Sequence, residues 1–377
     1  MNTVAKNLEF MTATYDLVPH MTPARNMQIE VLRPRNPRPI VSIGAGGIVR
    51  DAHLPAYKKA GFPVVAIADL DKSKAENLAR AFRIPAVLSG VEEAAAYAPK
   101  DAVFDVAVPA STLVELLPHI PDGAAVLLQK PMGETLSEAR AILEICRAKR
   151  LTAAVNFQLR FAPNMMMAWR LKEGGALGEI HDMEVRVSVM TPWHLWDFLQ
   201  KAPRIEILYH SIHYVDLVRS WFGNPISVLA KTLTSPEAAQ LAPTKSVILM
   251  DFGDDKRVFI NTNHSHYFSA QSQESFVQWE GTKGAMRAQM GVNLDYPAGR
   301  PDSLKFIFRG DSAWRDAEVS GNWFPDAFVG TMGSLQAYVE GSTPLLPTRV
   351  EDAFDTMRVV EAAYMSSLRG GIRPNEL

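Results

Sequence analysis

Cysteine is nearly absent. Cys146 stands alone among 377 residues, which excludes an internal disulfide framework and fits a reducing, cytoplasmic setting. No apolar run approaches the roughly 20 residues that span a bilayer, and the first residues lack a signal-peptide core. A membrane partner is therefore not expected. Excess charge of one sign is also missing: 39 basic and 41 acidic side chains leave a net charge of −2. Without a basic block there is nothing to hold nucleic acid. The chain is nevertheless too long for one ordinary core, so two domains are the default.

What is present starts after an amino-terminal extension. Residues 1–36 show no hydrophobic period, and Pro34, Pro37 and Pro39 close them as a stiff connector. An arm over the body or a neighbouring subunit, and plain disorder, are both open readings. From 37 to 157 short apolar runs (39–43, 64–68, 102–108, 125–128, 152–156) alternate with helical ones, the signature of a parallel, doubly wound sheet. From 158 to 377 the character changes. Longer β runs follow one another with few helices, which predicts an α+β domain with a large, mostly antiparallel open sheet. Helices over 162–172 and 206–221 would cover one face, leaving the other for a partner subunit. The last helix is placed over 350–368, with a return to the first domain as one reading.

The first apolar run ends in Gly44-Ala45-Gly46-Gly47-Ile48-Val49, just before a helical run, and the second delivers Asp69. This is the layout of a dinucleotide site. The first glycine permits a tight turn, the second lets backbone N–H groups approach a pyrophosphate, and the acid accepts from ribose hydroxyls. Val49 stands at the third fingerprint position, and an acid about 20 residues on compensates for that departure. A carboxylate at Asp69 also repels a 2′-phosphate, so NAD is expected over NADP. Pro109 follows the next parallel strand, where the same crevice would continue.

Three further groups of residues carry chemistry. Gln129 and Lys130 end the fourth strand, the edge where such sheets bind ligands, and a lysine there should lose proton affinity. A solvated surface lysine is the plainer alternative. On a regular helix, Tyr209, His213 and Asp216 share a face. Tyr209 and His213 would then meet one substrate, with His210 also counted among the substrate-binding residues and Asp216 orienting His213. Satisfied core polar groups, or a metal held by Glu206, His210 and His213, are the competing readings, and no further ligand cluster supports the metal. Finally, Trp193, His194 and Trp196 follow a strand, either as aromatic faces for a sugar or as plain packing.

Together these residues resemble the glucose–fructose oxidoreductase, inositol dehydrogenase and rhizopine catabolism family (Gfo/Idh/MocA). The similarity extends to Gln158-Leu159-Arg160-Phe161-Ala162-Pro163 and to the closing Glu351-Asp352-Ala353-Phe354 segment. It implies a Rossmann domain, a second domain with an open sheet, dimeric or tetrameric assembly, and oxidation of sugars, polyols or sugar acids. The family's Glu-Lys-Pro motif reads Gln129-Lys130-Pro131 here, and the aspartate usual four residues before the motif histidine is Tyr209. Gln158 and Arg160 stand where the family touches cofactor and substrate. The resulting expectation is an NAD-dependent dehydrogenase of a small polyhydroxylated substrate, an aldose at C1 being one form of it. His213 would be the base, Lys130 its proton partner, and Tyr209 would position the hydroxyl with its pKa drawn down by Lys130. A silent NAD-binding sensor and a redox-neutral enzyme with tightly held NAD are the alternatives.

Overall fold

The computed structural model describes residues 32–371 except Asp197 and Pro297. Most of the amino-terminal extension, residues 1–31, therefore lies outside the described residues. Its last part runs along the carboxy-terminal half of the molecule, where the Arg35 and Asn36 amides donate to Glu340 at 2.9 and 2.8 Å.

A six-stranded parallel sheet forms first. Its strands are β1 (Ile40–Ile43), β2 (Val64–Ala68), β3 (Ala86–Leu88), β4 (Val103–Val106), β5 (Ala125–Leu128) and β6 (Thr152–Val155). They lie in the order β3-β2-β1-β4-β5-β6. The order reverses between β1 and its neighbours, which opens a crevice at the carboxyl ends of the strands. Five of these strands fall where the apolar runs place them. Strand β3, three residues long at the sheet edge, lacks such a run. Helices α1 (Leu54–Ala60), α2 (Lys72–Phe82), α3 (Val91–Tyr97), α4 (Leu113–Leu116) and α5 (Leu136–Ala148) fill the crossovers. Thr135 caps α5, accepting from the Glu138 amide at 3.1 Å, while Glu138 accepts from the Glu134 amide at 2.7 Å. That reciprocal cap fixes the loop carrying Glu134.

The second sheet has eight strands: β7 (Ile180–Ser188), β8 (Ser227–Leu233), β9 (Lys245–Asp251), β10 (Arg257–Asn263), β11 (Glu274–Gly281), β12 (Gly284–Gln289), β13 (Ser303–Phe308) and β14 (Arg315–Asp316). Their order is β14-β13-β12-β11-β7-β10-β9-β8. Only β7 and β10 pair in parallel. Helices α6 (Pro163–Glu173) and α7 (Ile212–Phe222) cover one face, over Met183, Val185, Ile248, Ile260 and Trp279. The opposite face leaves Leu229, Val247 and Leu249 at 56, 45 and 39% exposure. Leu229 pairs across with Leu249, and Val247 lies two residues along β9 on the same face.

Helices α8 (Trp323–Glu340) and α9 (Val350–Arg369) close the chain. The last helix touches both halves. Arg140 of α5 lies 5.2 Å above the Phe354 ring, and Ser367 accepts from the Thr232 amide of β8 at 2.9 Å.

Candidate functional site

The glycine loop has the shape its composition requires. Gly44 sits at φ 106°, and a Cβ there would fall 2.2 Å from the Ala107 carbonyl oxygen. A Cβ on Gly46 would meet no atom within 4 Å, so open space lies over the loop. The first helical bonds run from the Val49 and Arg50 amides to the Gly46 carbonyl, each 3.1 Å. The amides of Gly46, Gly47 and Ile48 therefore precede the helix ladder, where an anion can accept from them. Asp69 follows β2 and braces this loop, its carboxylate accepting from Ala45 N at 2.6 Å and Asp71 N at 2.8 Å. These features fit a dinucleotide. Lys72 and Lys74, the lysines after Asp69 that could attract a 2′-phosphate, face Glu76 at 3.9 Å and Asp71 at 3.5 Å.

Along the same strand ends, Pro109 is exposed after β4, and Gln129 and Lys130 follow β5. Gln129 is held from below. Its carbonyl accepts from Asn156 Nδ2 at 3.0 Å. Asn156 also faces His53 Nε2 at 3.2 Å, and His53 Nδ1 faces Asp105 at 2.8 Å. Because a carboxylate only accepts, Nδ1 carries the His53 proton and Nε2 accepts from Asn156. Thr331 donates to the remaining Asn156 oxygen at 2.8 Å. The relay leaves the Gln129 amide nitrogen as its free, donating end. Neither His53 nor Asp105 was singled out in the sequence, because both lie inside otherwise apolar runs.

Lys130 donates from Nζ to the Tyr209 carbonyl at 2.6 Å. Among the described residues no carboxylate pairs with it, and burial alone pulls its pKa to about 8. The lysine is thus the partly desolvated group that its place at the strand end implies, and the solvated alternative is set aside.

The helix carrying the histidine departs from the expected geometry. Residues Glu206–Ser211 form a π-helical turn before α7 begins. The extra residue in that turn rotates everything before it, so Tyr209 leaves the face shared by His213 and Asp216. Tyr209 turns to the first domain, and its hydroxyl donates to Glu134 at 2.7 Å. Burial first, and then the bond to Glu134, push its pKa above the usual phenol range. This corrects the expectation that Lys130 would lower it: the lysine meets the carbonyl of Tyr209, not its phenol. Tyr209→Phe should therefore leave kcat within about threefold of wild type and cost about 1 kcal/mol of stability. Steady-state kinetics alongside denaturant unfolding would check both parts.

Asp216 does not orient His213 either. It takes two bonds from Arg160, each 2.6 Å, and one from Thr356 at 3.1 Å. Arg160 also donates to Asp352 at 2.7 Å. Arg160 is consequently a structural tie within the second domain, its guanidinium taken up by Asp216, Asp352 and the Pro347 carbonyl. Gln158, two residues earlier, is 1% exposed with an unpartnered Oε1.

His213 is 6% exposed, its ring 5.5 Å from Trp323 and edge-on to it. Burial, then the Lys130 charge, press its pKa well below the usual imidazole range. It stays neutral at physiological pH, which opposes its expected tuning as the stronger base.

Around this pair lies a set of aromatic and imidazole rings. Trp193 is buried, its ring 5.2 Å from His210, whereas His194 is exposed and Trp196 lies 5.5 Å from Tyr296. The three expected substrate contacts are thus split: Trp193 joins His210, Trp196 joins a loop of the second sheet, and His194 joins neither. His264, which follows β10, completes the cluster with its ring 4.5 Å from His210. Its only sequence signal was a polar run, Asn263-His264-Ser265-His266, at a strand end. Trp193 Nε1, His210 Nδ1 and His264 Nε2 are all buried without a protein partner. Each such atom costs about 1–3 kcal/mol unless a ligand or water satisfies it. Among the described residues no three His, Cys, Asp or Glu side chains converge to hold a metal ion.

The comparisons with known proteins agree with this layout. Residues 39–157 match the oxidoreductase family's NAD-binding Rossmann fold, and residues 171–372 match its C-terminal alpha/beta domain. A D-apiose dehydrogenase from Paraburkholderia graminis is 25% identical over 344 residues, covering 87% of each chain. D-xylose 1-dehydrogenase (NADP(+)) 2 from Haloferax volcanii is 23% identical over 334 residues, 87% of this chain and 97% of its own. An oxidoreductase from Agrobacterium radiobacter, in complex with NAD+, L-tartaric acid and magnesium, shares the fold with a TM-score of 0.75 at 19% identity. The match covers 89% of this chain and 98% of that one. With both domain models matched in order, the chain belongs to the Gfo/Idh/MocA family of oxidoreductases.

Proposed function

We propose that this protein is an NAD-dependent dehydrogenase acting on a carbinol of a small sugar or polyol, with aldose C1 the first candidate. The observation that carries the reading is Lys130: a lysine without a carboxylate partner among the described residues, tuned by burial to about 8, beside a neutral His213 at the edge of a dinucleotide crevice. When bound, the nicotinamide supplies the hydride acceptor. Lys130 in its neutral form takes the hydroxyl proton, and His213 fixes the hydroxyl by a neutral hydrogen bond. This exchanges the roles expected for the two residues. The exchange follows from proton affinity, since a base works best with a pKa near the working pH. The apiose and xylose dehydrogenases among the relatives support a sugar substrate.

Asp69 supports NAD. Its carboxylate is fixed by two amides where a 2′-phosphate would approach, and Leu70 beside it, 95% exposed, adds no compensating cation. Catalytic efficiency with NAD should exceed that with NADP at least tenfold, and Asp69→Ala should narrow the gap. Parallel rate measurements with the two cofactors would check this. The apolar patch at Leu229, Val247 and Leu249 supports a homodimer or homotetramer formed through the open sheet face.

The direct test is NADH formation on a panel of pentoses, hexoses, polyols and sugar acids. Turnover with one group establishes the reading. Binding of NAD without turnover on any member would favour a sensor or a redox-neutral enzyme.

A further inference from the structure

We propose that the cluster of Trp193, His210, His264 and Glu206 recognises the hydroxyl groups of an uncharged substrate, and that His264 and Glu206 are specificity-determining residues of this site. The inference rests on the dehydrogenase reading and narrows its substrate class to neutral sugars and polyols, against sugar acids and sugar phosphates.

The geometry begins with the rings. Trp193 stands edge-on to His210 and to His264, at 5.2 and 6.1 Å, and the two imidazoles are 4.5 Å apart. His264 Nδ1 lies 3.0 Å from the Thr191 hydroxyl, and its Nε2 lies 3.7 Å from Glu206 Oε1, too far for a good hydrogen bond. Trp193 and His264 are 7 and 2% exposed, and Trp193 Nε1 and His264 Nε2 have no protein partner. An indole N–H only donates, while a neutral imidazole offers one donor and one acceptor. A hydroxyl both donates and accepts, so vicinal hydroxyls satisfy such a set; a carboxylate or phosphate, which only accepts, does not.

Charge points the same way. The arginines on α7, on the turn leading into it or bonded to it are all occupied. Arg160 holds Asp216 and Asp352, Arg204 holds Glu361 at 2.6 Å, and Arg219 holds Asp352 at 3.1 Å. Among the described residues, the remaining groups facing the cluster are Lys130, His213 and Glu206. Burial keeps both cluster histidines neutral, and the one lysine must itself be neutral to accept a proton. Among the described residues an anionic substrate would meet no cation in the reactive state.

The test measures calorimetric binding to the NADH-loaded protein. The probes are an aldopentose and an aldohexose, their alditols, and the aldonates and terminal phosphates of the same skeletons. The expected result is that the tightest ligand is uncharged and exceeds its matched anions at least tenfold. His264→Ala should weaken that ligand about tenfold, with His264→Gln recovering part of the loss and NADH affinity unchanged. An anion binding more tightly than its neutral partner would overturn the inference. So would an affinity that ignores His264, or no uncharged ligand binding at all. NADH formation from the same probes with NAD keeps the two readings apart: selective binding without turnover removes the dehydrogenase reading, and turnover of an acid removes only the narrowing proposed here.

Discussion

Lys130→Met should lower kcat for NADH formation by roughly 10²–10⁴-fold, the usual contribution of a positioned acid or base. NADH affinity should remain within about threefold of wild type, because the glycine loop and Asp69 carry that binding. The same substitution should raise the melting temperature at neutral pH. Lys130 is charged in both folded and unfolded chains below pH 8, and there the fold bears the cost of burying an ammonium. That penalty fades as pH rises from about 8, the folded value, to 10.5, the unfolded one. The thioether of the variant carries no such penalty, so its stability advantage should be present at pH 7 and shrink toward pH 10. Thermal unfolding at both values would check the sign. A lysine that served only to brace the fold would show the opposite: lost stability at pH 7 with activity falling in proportion.

Arg160→Ala should cost about 3–5 kcal/mol of unfolding free energy, the usual penalty for stranding one partner of a buried ion pair. The Asp216 side chain is 1% exposed and that of Arg160 is 12% exposed. The loss of the guanidinium would leave Asp216 with Thr356 as its one remaining hydrogen bond. Asp352 would keep Arg219. The double substitution Arg160→Met with Asp216→Leu should be much milder, since no buried charge is then left alone. Denaturant unfolding of the three variants separates the ion pair from side-chain packing. A loss below about 1 kcal/mol in the single variant would mean that water reaches Asp216 and that the second domain is held together elsewhere.

Much of this molecule was legible because its elements repeat simple periods. The buried parallel strands are continuous apolar runs, so β2 and β5 fall on the predicted residues. The glycine loop was legible for another reason: only glycine tolerates the approach of Gly44 to Ala107. Lys130 was legible from its position at a strand end. The site around His213 was not, and the reason is one extra residue. A period of 3.6 puts Tyr209, His213 and Asp216 together, whereas the π-helical turn at Glu206–Ser211 sends Tyr209 to Glu134. Nothing in the local pattern announces such a turn. His264 was illegible for a topological reason, because it reaches His210 only through the order of strands in the second sheet. Arg160 shows a third kind of limit. Its residue type suits an anionic ligand as well as it suits Asp216, and only the fold decides which it meets.

The central claim is that Lys130, without a carboxylate partner among the described residues and partly desolvated, is the base of an NAD-dependent oxidation. The most direct measurement is the pH dependence of kcat/KM for NADH formation with a substrate found in the panel. The account predicts a rate that rises with pH as Lys130 loses its proton and levels off above an apparent pKa near 8, with that limb absent in Lys130→Met. A limb near the ordinary imidazole range that survives in Lys130→Met would contradict it and return the role of base to His213.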